Sequence, residues 1–277
     1  VDFKGKNAIV TGGSKGLGYE ICKHFLQKGA NVSLCARNPI DLFKADNSLM
    51  QFKTETQILH SMSVDVSDYQ SIKEYIFEAE KALGEIDILV SNAGVIGSKG
   101  LIEDVDIEEW TQSVAINLFS NLYLFKTLIP KMKENNNGRI VVISGGGATK
   151  PLINMSAYGA SKAGLVRLAE TVAKECEGFN IKINCLAPGA LNTSILDEML
   201  ENKDNIDEDF YDKCLKQKEQ GGDSIEHAAA VCLRLCKEDV KITGKLISAV
   251  WDDLESIVCE EIDSDAYTIR RLVPANN

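Results

Sequence analysis

Residues 7–18 read Asn-Ala-Ile-Val-Thr-Gly-Gly-Ser-Lys-Gly-Leu-Gly. Ala8, Ile9 and Val10 make a short apolar run, as a strand buried on both faces does. Gly12, Gly16 and Gly18 follow it, and between Tyr19 and Lys28 the apolar Ile21, Cys22, Phe25 and Leu26 recur at helical spacing. A strand, a glycine turn and a helix start together form a unit that holds a dinucleotide. Such a turn brings bare backbone up to a pyrophosphate, which β-carbons would keep away. The helix N-terminus adds free N–H groups and the positive end of its dipole. Gly12, Ser14, Lys15, Gly16, Leu17 and Gly18 are therefore the first candidate cofactor contacts.

Working outward, Gly29 closes the first helix and Asn31 to Ala36 reads as the second strand. Arg37 follows about 20 residues beyond the turn, where an acid would hydrogen-bond a ribose 2′-hydroxyl and repel a 2′-phosphate. The sequence offers Arg37 there and Lys15 in the turn, two cations and no acid, which suits NADP(H). A short helix is expected over 39–50 and a third strand over Gln57 to Val66, which Asp65 and Val66 close. Ile72, Tyr75, Ile76, Ala79 and Leu83 predict a helix up to Gly84. Ile86 to Val90 is a fourth strand, ending in Ser91-Asn92-Ala93-Gly94, and one long helix is expected over 107–133. Asn117 lies inside that helix, where an asparagine is unfavourable without a polar reason. Further strands are read at Arg139 to Ser144 and Ile181 to Leu186, with a helix from Ser156 between them. Strands and helices alternate throughout, which predicts an α/β fold with a doubly wound parallel sheet (a Rossmann fold) in one domain, 1–277.

Tyr158 and Lys162 are four residues apart and share one helix face. A nearby ammonium favours the phenolate, so the expectation is a tyrosine whose pKa is lowered toward useful acid–base work. With the Thr-Gly-x-x-x-Gly-x-Gly turn, Asn92-Ala93-Gly94 and Asn117, this pair resembles the short-chain dehydrogenase/reductase family from Lys4 to about Ile247. The resemblance implies that Tyr158 and Lys162 are catalytic and also touch the cofactor, Lys162 reaching its ribose. It implies that Asn117 kinks its helix and holds a water connected to Lys162. Asp65 and Val66 would lie beside the adenine, and Asn92, Ala93 and Gly94 against the cofactor. Pro188, Gly189 and Thr193 match the stretch that meets the nicotinamide. A homodimer or homotetramer through the helices 107–133 and 156–176 is implied in the same way.

One position departs from that family. Its serine lies thirteen residues before the tyrosine and bonds the reacting oxygen, and here that position is Gly145 in Ser144-Gly145-Gly146-Gly147. Loss of one such donor costs about 2.7–4 kcal/mol in the transition state. Three substitutes are open: Ser144 re-aimed by the glycines, Thr149 or Asn154, or a hydroxyl of the substrate. Residues 192–222 are acidic and polar where a substrate lid would lie, with no recognisably greasy lining, and Glu198 reads there as part of a solvated face. Residues 251–277 extend beyond the family pattern as a C-terminal tail.

The expected activity is an NADP(H)-dependent carbonyl reductase or alcohol dehydrogenase for a small polar, sugar-like substrate. The alternatives are an epimerase or dehydratase that keeps its cofactor, and a non-catalytic NADPH-binding regulator. A net charge of −11 argues against nucleic acid and acidic membrane surfaces as partners. No apolar run is long enough to cross a membrane and no secretory signal is read, so a cytoplasmic protein is expected. The eight cysteines form no Cys-x-x-Cys pair and read as reduced thiols, and no metal site is expected.

Overall fold

The computed structural model describes residues 3–260 and 262–271. Seven strands form one parallel sheet in the order β3-β2-β1-β4-β5-β6-β7. They are β1 (Asn7–Thr11), β2 (Asn31–Ala36), β3 (Leu59–Ser63), β4 (Ile88–Ser91), β5 (Gly138–Ile143), β6 (Ile181–Ala187) and β7 (Leu246–Ser248). Their registers, such as Val10 beside Leu34 and Val90, place the ends of β1, β2 and β4 together. The chain winds from β1 outward to β3, then crosses back to β4, so β1 and β4 flank the point where the winding reverses. A doubly wound sheet opens its ligand crevice there, at the carboxyl ends of the strands.

Two apolar layers cover the faces. One packs α1 (Gly16–Gln27), α2 (Pro39–Leu49) and α9 (Ile225–Leu235) on Val10, Val90, Val141 and Ile143. The other packs α3 (Tyr69–Leu83), α5 (Ser120–Glu134) and α6 (Ser156–Glu175) on Ile9, Leu89, Ile140 and Val142. Alternate residues of one strand thus serve opposite layers, which is why central strands read as unbroken apolar runs.

The single helix expected over 107–133 is three pieces: α4 (Ile107–Val114), a π-helical turn at Ala115–Phe119, and α5. The third strand is shorter than its apolar stretch and the last begins only at Leu246. Residues 192–222, expected as a lid, hold α7 (Ser194–Leu200) and α8 (Glu208–Gln220). Their underside is apolar, which corrects the expectation of a polar lid. Leu196, Met199, Ile206 and Cys214 form a third cluster with Ile96 and Met155, against which Tyr158 and Leu152 pack. Sequence alone hides this lining because it is shared among separate segments.

Beyond α10 (Leu254–Ile257), the tail lies along β7 and α6. Leu246 N donates to Tyr267 O at 2.7 Å, and Arg270 pairs with Glu170 at 2.5 Å and Asp265 at 2.8 Å. Residues 272–277 lie outside the described residues, and with them part of the expected tail segment.

Candidate active site

The loops after β1 and β4 are stitched together at the reversal point. Thr11 Oγ1 accepts from the backbone N–H of Asn92 and of Ala93, both at 3.0 Å. Asn92 Nδ2 returns bonds to the carbonyls of Thr11 (3.0 Å) and Gly12 (3.1 Å). Thr11 is the residue that motif reading passed over; its signal is a hydroxyl ending an apolar strand. Gly12 has φ +64°, and a β-carbon at Gly18 would lie 2.2 Å from the Gly12 carbonyl oxygen. The turn therefore closes only with glycine at both places. Ser14 is half-buried within it and Leu17 is buried beneath it. Thr193, ahead of α7, comes to the turn: a β-carbon at Gly16 would stand 3.2 Å from its methyl group. Pro188 and Gly189 end β6 nearby, and Gly189 (φ +97°) is backed by Asp223 and Val250.

The two cations separate. Arg37 is exposed at the end of β2, whereas Lys15 Nζ sits 2.7 Å from Asp41 Oδ2 at the start of α2. An acid thus reaches the region from four residues past Arg37, correcting the sequence reading that none does. Asp65 accepts from the N–H of Ser67 (2.9 Å) and its hydroxyl (2.6 Å), fixing the turn before α3. The cap of α3 is Asp68, which accepts from Ser71 N at 2.7 Å. Val66 is buried beside this turn.

The chemistry-bearing side chains meet past the end of β5. Lys162 is 4% exposed, and its Nζ donates to the Ile143 carbonyl at 2.9 Å. Burial pushes its pKa down to about 8. Its ammonium stands 5.7 Å from the centre of the Tyr158 ring. Asn117 is fully buried in the π turn; its Oδ1 accepts from Val95 N at 2.9 Å. Its Nδ2 donates to Val95 O (2.9 Å) and to Ser161 Oγ (3.1 Å). A β-carbon at Gly94 would lie 3.1 Å from Asn117 Oδ1 and 3.5 Å from Lys162 Nζ, so bare backbone separates the two groups. The polar reason for a mid-helix asparagine is thereby found. A π turn widens the helix at functional positions of this kind.

Tyr158 departs from expectation in two respects. Burial pushes its phenol up to about 12, so the Lys162 charge does not lower it here. Its hydroxyl also occupies the space of the missing side chain: a β-carbon at Gly145 would fall 2.4 Å from Tyr158 Oη. Of the proposed substitutes, Thr149 is exposed and Asn154 lies half-buried in a left-handed conformation (φ +64°). Ser144 is 3% exposed and its Oγ has no hydrogen-bond partner.

A family model described as short chain dehydrogenase matches residues 6–204. This chain belongs to the short-chain dehydrogenase family. Among relatives, it is 30% identical over 201 residues to 2-dehydro-3-deoxy-L-rhamnonate dehydrogenase (NAD(+)) of Sphingomonas sp. (strain SKA58), covering 73% of this chain and 78% of that one. It is 31% identical over 243 residues to human dehydrogenase/reductase SDR family member 4, covering 87% and 85%. Among solved structures, levodione reductase superposes with a TM-score of 0.81 at 25% identity, over 92% of this chain and 98% of that one. NAD+-bound xylitol dehydrogenase has the same fold, with a TM-score of 0.82 at 24% identity over 90% and 98%.

The chain, a member of a nicotinamide-dependent oxidoreductase family, brings Lys162, Tyr158 and the buried Asn117 together with Gly145 against the Tyr158 hydroxyl. No helix among the described residues is long and apolar enough to cross a membrane.

Proposed function

We propose that the chain is an NADP(H)-dependent carbonyl reductase or alcohol dehydrogenase acting on a small polar, sugar-like substrate. The observation that carries the reading is the buried Lys162 ammonium, held by Ile143 O beside Tyr158 and Asn117 at the end of the strand next to β4. The cradle fits a dinucleotide: Gly12 and Gly18 admit no side chain, and the N-terminus of α1 faces the same turn. Gly12, Ser14, Gly16 and Leu17 would hold the pyrophosphate, and Asp65 and Val66 would bound the adenine. Asn92, Ala93, Gly94 and Lys162 would meet the ribose, and Pro188, Gly189 and Thr193 the nicotinamide. When bound, the nicotinamide supplies or takes the hydride. Tyr158 Oη gives the proton to the substrate oxygen in reduction and takes it in oxidation. Its raised pKa suits the giving state, because the phenol keeps its proton at neutral pH. Lys162 holds a positive charge beside the phenolate that this transfer leaves.

Arg37, exposed at the end of β2, supports NADP(H) by itself, because Asp41 engages Lys15. A guanidinium binding a 2′-phosphate contributes about 1.5–3 kcal/mol. Arg37→Ala is therefore expected to weaken NADPH binding roughly 10- to 100-fold while leaving NADH binding within about twofold. Equal affinity of the unaltered protein for both nucleotides would sink the preference. The sugar-like class is supported by the sugar-acid dehydrogenase among the relatives and by Gly145, whose lost hydrogen bond a substrate hydroxyl can supply.

The test is incubation with NADPH or NADH and a panel of deoxy-sugar acids, polyols and simple ketones, following nicotinamide oxidation and product. Gly145 and the raised phenol also favour a second reading, a nucleotide-binding regulator without turnover. Tight NADPH binding with no turnover across the panel supports that reading instead. Isomerised or dehydrated product without net nicotinamide oxidation points to an epimerase or dehydratase.

A further inference from the structure

Two cations and one carboxylate stand where the turn after β1 meets the end of β2. Gly13 N donates to Cys35 O at 3.0 Å, and the Thr11–Cys35 register holds the two strand ends side by side. Arg37 follows directly, exposed, with its carbonyl taken by Ser63 Oγ at 3.1 Å. Asn38 then caps α2: its Oδ1 accepts from Ile40 N at 2.9 Å and from Asp41 N at 3.2 Å, which sets Asp41 in the first turn. The helix dipole favours a carboxylate there. Tyr19 Oη and Ser48 Oγ, 2.7 Å apart, tie α1 to α2 and keep that helix beside the turn.

From this place Asp41 reaches back to Lys15 Nζ at 2.7 Å, the lysine side chain 58% exposed and the carboxylate 22%. So exposed a pair adds little to folding. Its effect on an arriving anion is larger, because it changes two charges at once. Lys15 is spent on a neighbour, and a negative charge stands four residues past Arg37. Among the described residues no ion pair holds the Arg37 guanidinium, which leaves it open to an anion.

We propose that Asp41 is a specificity-determining residue for the nucleotide: it withholds Lys15 from a 2′-phosphate and repels that phosphate. The chain then discriminates less between NADP(H) and NAD(H) than its two cations alone would allow. The proposal rests on the reading of the glycine turn as the dinucleotide cradle and of Arg37 as the 2′-phosphate contact. A phosphate monoester carries nearly two negative charges at neutral pH, whereas the 2′-hydroxyl of NAD(H) carries none. Asp41 therefore acts on one nucleotide and is indifferent to the other. It is the repulsive half of a selectivity whose attractive half is Arg37. In a water-like medium, removing one such charge is worth roughly five- to tenfold in affinity for a dianion, and a released Lys15 adds to that.

The test is direct binding of NADPH and of NADH without substrate, followed by calorimetry or nicotinamide fluorescence at low salt. Asp41→Asn is expected to tighten NADPH about 5- to 20-fold and to leave NADH within about twofold. Raising the salt to about 0.5 M shrinks the gain. The double variant Lys15→Gln/Asp41→Asn removes the anion but has no cation to release, so its gain falls short of Asp41→Asn by about threefold or more. An NADPH-to-NADH affinity ratio that Asp41→Asn leaves unchanged or lowers overturns the proposal, as does a double variant that gains as much as Asp41→Asn. A pair serving only the start of α2 would move both nucleotides together, which also overturns it. Failure of the function reading looks different. If the unaltered protein binds NADH as tightly as NADPH or tighter, the NADP(H) preference falls, while a selective NADPH gain in Asp41→Asn still upholds Asp41 as the selector. If Arg37→Ala weakens NADPH alone while Asp41→Asn changes nothing, the preference stands and the selector falls.

Discussion

At Gly145, a single absent β-carbon decides where the reactive hydroxyl lies. Tyr158 Oη fills the volume a serine would need: a β-carbon at residue 145 would fall 2.4 Å from it. Gly145→Ser is therefore expected to act against intuition. Instead of restoring a family feature, it displaces the phenol and destabilises the protein by about 1–3 kcal/mol, as overpacking does. A thermal melt and a turnover measurement on the same sample check this; higher turnover with an unchanged melt would contradict the geometry. The backbone is not the obstacle, since Gly145 is extended (φ −178°) and any residue adopts that conformation. Lys162 gives a second residue-level expectation. Its pKa lies at about 8 in the folded chain against 10.5 for an ordinary lysine. Between those values the unfolded chain holds one more proton, so this group makes stability rise with pH across that window. On the proposed mechanism turnover needs the ammonium and is expected to fall over the same range, with an alkaline midpoint near 8. Opposite slopes in a denaturation series and in a pH–rate profile are the signature. Parallel slopes would remove Lys162 from the role. Tyr158, Lys162, Asn117 and the glycine turn were legible because spacing along one helix or one turn already fixes their neighbours. The place of the phenol hydroxyl was not, because it depends on packing between α6 and the loop after β5.

The segment expected as a lid is one whose sequence misleads. Residues 196–222 are rich in charge, yet Leu196 is fully buried and Met199, Ile206 and Cys214 follow it inward. Glu198, which reads as part of a solvated face, meets Lys99 at 2.6 Å, and the Lys99 side chain is 8% exposed. Lys99 Nζ also donates to Gly97 O at 2.9 Å, so one cation ties α7 to the loop after β4. Glu198→Gln replaces a charged acceptor and is expected to cost about 1.5–3 kcal/mol locally. Hydrogen exchange over 194–206 should quicken while protection of β1 and β5 holds. Uniform loss of protection would show that the pair supports the whole fold rather than this segment. The same limit on sequence reading applies to the helix over 107–133. Its apolar periodicity predicted one long helix and only the family resemblance implied a kink at Asn117; the π turn stands there, at Ala115–Phe119, with Asn117 bonded to Val95 and Ser161. Strand cores such as Ile9 and Val10 were readable because each is buried on both faces. The ends of β3 and β7 were not, because pairing partners decide where a strand stops.

At the scale of the molecule, residues 262–271 work as a strap. Lys245 Nζ donates to the carbonyls of Asp263 (2.6 Å), Ser264 (3.1 Å) and Ala266 (2.8 Å). Glu170 on α6 takes Thr268 Oγ1 at 2.9 Å and Arg270 at 2.5 Å. Removing 262–277 leaves Lys245, Glu170 and the β7 edge without these partners. In a chain of this size each kcal/mol lost lowers Tm by roughly 2–4 °C, so a fall of about 5–10 °C is expected. An unchanged Tm would mean that the strap rests on the fold without supporting it. The sequence shows the cations of this tail but not where they land, because Glu170 and Arg270 lie 100 residues apart. The crowding at Gly145 reaches past any one experiment. The phenol and any β-carbon at residue 145 compete for one volume, so the two positions are packed as a unit. A side chain is added at residue 145 only where the Tyr158 hydroxyl yields its place, so each position limits what the other can become.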